Sequence, residues 1–270
     1  MKQFAVIGNP IAHSKSPLIH KEFAKQLNIE LNYVLLESEP SQFKQTVNAY
    51  FANGGTGLNV TTPFKHDAYE YAQQTSAQSK LAQAANTLYI DNGIYKADTT
   101  DGIGLVTDLK FHDVSLVNKK ILVLGAGGAA KGAILALLEE SPLKIVIANR
   151  TKSKADEIIS TLDADNVFAS GLETIKGDFD IVINSTSCSI TDDIPEMDTS
   201  CFKNISVSYD MSYKPYVTSF NQFVINNSQS KIKTMDGLGM LVEQAAESFL
   251  IWHGVRPDTS QIRKLLTEQQ

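Results

Sequence analysis

The run GLNVTTPFKHD, Gly57 to Asp67, begins like a buried strand, with Leu58 and Val60 apolar. It then gathers Asn59, Thr61, Thr62, Pro63 and Lys65 at the strand exit. Lys65 falls in the first turn of the helix that Pro63 opens, where the helix dipole disfavours a cation. A cation at that cost invites a task, and an amine can give a proton to a forming alkoxide or take one from an alcohol. Asp101, in TTDGIG, follows the second strand of a hairpin. Its carboxylate could hold an amine in line, or cap a helix opening at Gly102. Asn86 starts the hairpin's first strand and has no helix to cap. Sequence distance leaves open whether Lys65, Asn86 and Asp101 meet.

A second group of hydroxyls lies in GNPIAHSKSP, Gly8 to Pro17. Ser16-Pro17 reads as a helix start, with serine at the N-cap and proline at the first helical position. Thr62-Pro63 repeats that signature after the third strand. Ser14 has no capping duty in this reading. In a parallel sheet both turns lie at the carboxyl edge, where ligands bind, and two such helix starts suit a carboxylate.

The third constellation is GAGGAAKG, Gly125 to Gly132, between an apolar strand and an Ala-rich helix. Glycines there permit the tight turn and let backbone N–H groups approach a pyrophosphate at the helix N-terminus. Gly125, Ala126, Gly127, Gly128 and Ala129 form the turn, and Gly132 stands one position late for a strict GxGxxG. The alternative is a tight turn that binds nothing. An NAD site places an acid at the end of the next strand. Here stand Asn149, Arg150 and Thr151, with Lys152 and Lys154 behind them. A guanidinium and a hydroxyl can pair with a 2′-phosphate that an acid would repel, so the sequence expects NADP rather than NAD.

The elements that position these groups alternate. Strands are expected at Phe4–Ile7, Tyr33–Leu36 and Leu58–Thr61, and helices at Pro17–Leu27, Ser41–Phe51 and from Pro63. Thr87–Ile90 and Ile94–Lys96 flank Asp91-Asn92-Gly93, a hairpin signal. A second block runs through strands Ile121–Leu124, Lys144–Ala148, Ile181–Asn184, Ser206–Tyr209 and Lys231–Met235, a doubly wound pattern. A helix from Gly239 to Gly254 carries an apolar stripe of Leu241, Val242, Ala245, Ala246, Phe249 and Leu250, and the periodicity points Gln244 away from it. The expected fold is α/β, with an N-terminal mostly parallel domain over 1–104 and a Rossmann-like domain over 105–238. Helices over 239–270 would pack back on the first domain.

Composition sets the outer bounds. The 270 residues are 43% hydrophobic and 20% charged, ordinary for a globular protein, and the net charge of −6 supplies no field for nucleic acid or an anionic membrane. Cys188 and Cys201 lie in no CxxC or Cys/His cluster, so no metal site is expected and a reducing, cytoplasmic setting fits. The opening MKQFAVIGNP lacks the long apolar stretch of a signal peptide, and no run approaches a membrane span.

Taken together, GNPIAHSKSP, GLNVTTPFK, AANTL, TTDGIG, GAGGAA, NRT, DMSYKP and DGLGMLVEQAA make the chain resemble the shikimate dehydrogenases of the bacterial monofunctional type. The resemblance implies reversible NADP(H)-dependent interconversion of 3-dehydroshikimate and shikimate by a monomer or homodimer that needs only small-molecule partners. It implies Lys65 as acid/base, with Asp101 holding it. Ser14 and Ser16 would bind the substrate carboxylate, and Asn59, Thr61, Asn86, Asp101, Tyr213 and Gln244 would make the remaining substrate contacts. For the cofactor it points to Gly125–Ala129, Asn149, Arg150, Thr151, Lys154, Thr186, Met211 and Gly237. One departure is visible: Ser185-Thr186-Ser187-Cys188-Ser189-Ile190 lacks the glycine that the family carries in that loop. The rival readings are a quinate/shikimate enzyme using NAD and a non-catalytic NADP- or metabolite-sensing protein. The Asn-Arg-Thr run opposes the first, and the Lys65–Asp101 pair the second.

Overall fold

The computed structural model describes every residue except Ser187 and Gln270, and the side chain of Ile190 is likewise outside the description. The chain divides into two compact units, 1–104 with 242–265, and 105–241 with 266–270.

In the first unit, β1 (Lys2–Gly8), α1 (Ser16–Gln26), β2 (Leu31–Glu37), α2 (Phe43–Ala52), β3 (Gly55–Val60) and α3 (Lys65–Tyr71) alternate along the chain. After them come β4 (Gln74–Thr75), α4 (Ala77–Ala82), β5 (Thr87–Asp91), β6 (Ile94–Asp98) and α5 (Asp101–Phe111), whose first turn belongs to this unit. The sheet order is β2-β1-β3-β5-β6-β4. Only β5 runs against its neighbours. The hairpin β5–β6 turns at Asn92-Gly93, both with positive φ, as the sequence signal requires. Because β5 is reversed, its start lies beside the ends of β3 and β6. The residues after β1, β3 and β6 and the one before β5 therefore share one sheet edge. Ala5, Ile7, Leu58, Val60 and Leu88 fill the core on one side with Phe43, Val47 and Phe64 from the helical layer.

In the second unit, β7 (Lys120–Leu124), α6 (Gly128–Glu139), β8 (Lys144–Asn149), α7 (Lys152–Ser160), β9 (Val167–Gly171), β10 (Ile181–Asn184), α8 (Cys188–Thr191), β11 (Val207–Asp210), α9 (Ser219–Asn227) and β12 (Lys233–Met235) follow in turn. All six strands are parallel in the order β12-β11-β10-β7-β8-β9. Read from β9, that is the 3-2-1-4-5-6 order of the dinucleotide fold, with its switch point between β7 and β10. The apolar runs of β7, β8 and β10 are buried on both faces, which is why they read as continuous rather than alternating. Finally α10 (Leu238–His253) and α11 (Ser260–Glu268) close the chain. No helix among the described residues is long and apolar enough to cross a membrane.

Several local expectations need correction. Strands β4 and β9 carry no apolar run strong enough to read. The helix expected over 41–51 begins as a 3-10 turn at Pro40–Gln42. β3 starts at Gly55 and ends at Val60, leaving Thr61 beyond it. Ser16 is not an N-cap but the first helical residue, and no side-chain cap bond forms there. The hydroxyl that accepts a local amide is that of Ser14, from Ser16 N–H at 3.3 Å. The helix starts one residue early, and a residue already helical cannot reach back to the orphan amides. Thr62-Pro63 is likewise no cap: α3 begins at Lys65, after Phe64. Asp101 is itself the first residue of α5 rather than the residue before it.

Candidate active site

The first unit brings Lys65, Asn86, Asp101 and Gln244 together. Lys65 heads α3 and its Nζ lies 2.6 Å from Asp101 Oδ2. Asp101 heads α5, where a carboxylate suits the helix dipole, whereas Lys65 at the same position of α3 is disfavoured. The ion pair offsets that cost. The lysine side chain is 33% exposed and the aspartate 10%, so solvent reaches the pair rather than its being sealed in the core.

Asn86 polarises the group. Its Oδ1 accepts from Thr100 N–H at 3.0 Å and from the Thr87 hydroxyl at 2.9 Å. A backbone amide can only donate, so the Asn86 amide has one permitted orientation. Its NH2 group therefore faces Asp101 Oδ1 at 3.0 Å and Gln244 Oε1 at 2.9 Å. Both aspartate oxygens are thus engaged by different donors, Lys65 on one and Asn86 on the other. Gln244 sits on α10, and the periodicity reading of it is corrected here. That helix also buries Glu243 and Ser248, while Leu241 and Leu250 are only half-buried, so its covered surface is wider than the apolar stripe. Glu243 fixes this part of the helix through Arg256 at 2.7 Å, Thr259 at 2.7 Å and Arg263 at 2.7 Å. Burial alone would raise the Glu243 pKa, but these partners together hold it below its ordinary value.

Asn59 behaves differently from a ligand contact. Its amide is committed inside the protein: Oδ1 accepts from Tyr33 at 2.7 Å, and Nδ2 donates to Ser248 Oγ at 3.0 Å and Asn86 O at 3.3 Å. Thr61 stands just past β3, with its backbone tied to Ile7 O at 3.0 Å. The loops after β1 and β3 are joined by Asn9 N–H to Thr62 O at 3.1 Å, which places Ser14 and Ser16 on the same edge as Thr61 and Lys65. Sequence reasoning missed Tyr33, Thr87, Thr100 and Ser248, which orient the amides. Of these, only Ser248 carried a signal, four residues after Gln244 on the same helix face.

The second unit carries the Gly-rich turn at its switch point. Gly125 has φ +103°, and a β-carbon there would lie 2.6 Å from Ser185 Oγ, so β7 and the loop after β10 approach too closely for another residue. Above Gly127 and Gly128, by contrast, a β-carbon would meet nothing within 4 Å. That open backbone at the start of α6 leaves room for a phosphate to approach its N–H groups. Ala126 is buried and Ala129 lies in the first turn of α6. At the end of β8, Asn149 Nδ2 donates to Thr151 O at 2.8 Å and curls the loop. Lys152 is paired with Asp156 at 2.6 Å. Among the described residues Arg150 and Lys154 have no carboxylate partner, and both are exposed. The residues present thus fit a dinucleotide carrying an additional phosphate.

Beyond β10, Thr186 donates to Asn184 Oδ1 at 2.6 Å, and Met211 N–H to Asn184 O at 2.9 Å. In the glycine-free loop, Ser189 donates to the buried carboxylate of Asp210, which also accepts from Asn184 at 3.0 Å and Ser212 N–H at 3.1 Å. The expectation for this loop that falls on Ser187 lies outside the described residues. Gly237 is required by contact, since a β-carbon would fall 2.1 Å from Met211 O. Tyr213 lies in the loop after β11, where burial and then the nearby Asp236 raise its phenol pKa.

Three family models match the chain: the shikimate dehydrogenase substrate-binding domain over 6–88, shikimate/quinate 5-dehydrogenase over 108–194, and the shikimate 5′-dehydrogenase C-terminal domain over 237–267. The shikimate dehydrogenase (NADP(+)) of Vibrio atlanticus strain LGP32 is 45% identical over 98% of this chain and 96% of its own. An Ael1 enzyme from Pseudomonas putida superposes with a TM-score of 0.95 at 41% identity, over 99% of this chain and 98% of its own. The Thermus thermophilus shikimate 5-dehydrogenase, crystallised with NADP(H) and shikimate, gives a TM-score of 0.86 at 27% identity, over 98% of each chain. With full-length similarity of this kind, and with the lysine–aspartate pair and glycine turn at the ends of their sheets, the chain belongs to the shikimate dehydrogenase family.

Proposed function

We propose that this protein catalyses the reversible NADPH-dependent reduction of 3-dehydroshikimate to shikimate, in the biosynthesis of chorismate and aromatic amino acids, with Lys65 as the group that moves the proton. The observation that carries this reading is the Lys65–Asp101 pair at 2.6 Å, polarised by Asn86 at the ligand-binding edge of the first sheet. A ketone becomes an alcohol by gaining a hydride and a proton, and bound NADPH supplies the hydride. Lys65 gives its ammonium proton to the oxygen as negative charge develops there, and takes it back in the oxidative direction. Asp101 holds the amine in line and can accept from a neighbouring ring hydroxyl. Asn86 and Gln244 present amide groups to the same ring, and Thr61 a hydroxyl. Ser14 and Ser16 take the carboxylate at the head of α1. Asn59 supports this group from behind.

For the cofactor, Gly125 to Ala129 would hold the pyrophosphate, and Asn149, Arg150, Thr151 and Lys154 the adenosine end with its 2′-phosphate. Thr186, Met211 and Gly237 would line the nicotinamide end. We place the substrate domain at 1–104 with the helices of 239–270, and the cofactor domain at 105–238. One chain carries every residue named, so a monomer suffices, and the unbridged Cys188 and Cys201 suit a cytoplasmic setting. The test is Lys65→Ala. Turnover of shikimate and NADP should fall by at least about 100-fold, the scale of a general acid/base, with NADPH affinity retained. Near-normal turnover would remove the assigned role.

A further inference from the structure

The Tyr33 phenol is the buried end of the hydrogen-bond chain that finishes at Asp101, and the reading above gives it no task. Tyr33 lies on β2, 1% exposed, behind the substrate edge. Burial lifts its pKa well above the ordinary value, against a smaller downward pull from the Ser16 hydroxyl, so the phenol stays protonated. Its ring is clamped: His20 lies flat against it at 4.5 Å and 10°, with Trp252 packed against both rings. Burial lowers the His20 pKa to about 3, against a smaller upward pull from Asn59, so the stacked imidazole is neutral and brings no competing charge.

The direction of the chain follows from groups that have no choice. Asn86 O is a carbonyl and can only accept, so Asn59 turns its NH2 to it and to Ser248, and turns Oδ1 to Tyr33. Reversing the Asn59 amide would set two carbonyl oxygens face to face. The Asn86 carbonyl is further held by Val60 N–H at 2.8 Å, and the side chain of the same residue donates to Asp101 and Gln244.

We infer that Tyr33 is a positioning residue for the reaction: its hydroxyl donates to Asn59 Oδ1 and holds that amide in place, and through Asn86 it sets the placement of Asp101 and Gln244. The inference rests on the proposed shikimate reaction and deepens it. A phenol at this position can be replaced by phenylalanine with the same ring and the same stacking, so the hydroxyl is separable from the packing.

The experiment compares wild type with Tyr33→Phe. The variant should lose about 10-fold or more in kcat/KM for shikimate, the scale of one unsatisfied buried partner. It should also show a smaller shikimate-induced rise in Tm, with the Kd for NADPH, followed by its fluorescence, unchanged. A merely structural role would lower Tm while leaving kcat/KM and the shikimate-induced shift within about twofold, and that result overturns the inference. Asn59→Ala, which removes the acceptor and keeps the phenol, should reproduce the defect, and the double variant should be no worse than Asn59→Ala alone. Additive losses would show that the two residues act independently and would also overturn it. Wild type failing to turn over shikimate would instead strike the functional reading, while its shikimate-induced Tm shift against that of Tyr33→Phe still decides the role of the phenol.

Discussion

Replacing Asp101 by asparagine tests the proton-transfer group most sharply, because the change is isosteric and its consequence follows from hydrogen-bond counting. Asp101 accepts on both oxygens, from Lys65 at 2.6 Å and from Asn86 at 3.0 Å. An asparagine offers one acceptor and one donor, so one of its two neighbours must face a donor. Asn86 cannot turn to accommodate it, since the Thr100 N–H requires its oxygen. Lys65 cannot accept while charged. A charge-assisted hydrogen bond contributes about 1.5–3 kcal/mol. The lysine is a third exposed, so solvent screening favours the middle of that range. A loss of about 2 kcal/mol corresponds to roughly 30-fold in kcat/KM. The assay is NADP reduction with shikimate, followed by NADPH absorbance, alongside a Tm measurement and NADPH binding. If Asp101→Asn lowered Tm but kept kcat/KM within about threefold of wild type, the carboxylate would be a helix-terminal stabiliser only, and the assigned geometry of the proton transfer would be wrong.

Two further outcomes follow from other parts of the molecule. Arg150→Ala should weaken NADPH binding by about 10-fold or more while changing NADH binding little, because an arginine–phosphate contact is lost only where the 2′-phosphate exists; equal losses for both cofactors would refute the assignment. His20 should make the fold acid-sensitive. Its folded pKa is lowered to about 3, mainly by burial, against 6.5 when unfolded, so below pH 6.5 the unfolded chain binds a proton that the folded one refuses. Stability should therefore fall by up to about 1.4 kcal/mol per pH unit as pH drops from 6.5 towards 3. Urea unfolding of His20→Phe should show a shallower loss over that window, and an unchanged slope would count against a neutral buried imidazole.

Much of the architecture is local and so was legible. The run Ile121–Leu124, the glycine turn and the next strand at the expected distance imply a dinucleotide fold because each is a short-range requirement: apolar length, turn conformation and helix start. Asn92-Gly93 specifies its hairpin for the same reason, since both residues tolerate positive φ. Arg150 just past the end of β8 is legible because its place there is fixed by the chain. The weak strands β4 and β9 were not legible, since their partners rather than their composition make them strands.

The sequence by itself determined the residue types at the sheet edges, including an amine and a carboxylate each heading a helix. Only the tertiary structure decided which of them meet and which way each amide points. Lys65 and Asp101 are 36 residues apart, and Asn86 and Gln244 are 158 apart, so no periodicity connects them. The helix stripe turned Gln244 outward, because periodicity registers apolar surface alone and cannot see a buried polar face. Ser14 and Ser16 exchanged duties through a one-residue shift in the helix start. The physical reason is the same in each case: a hydrogen bond has a direction set by both partners, and here the second partner arrives from a distant part of the chain.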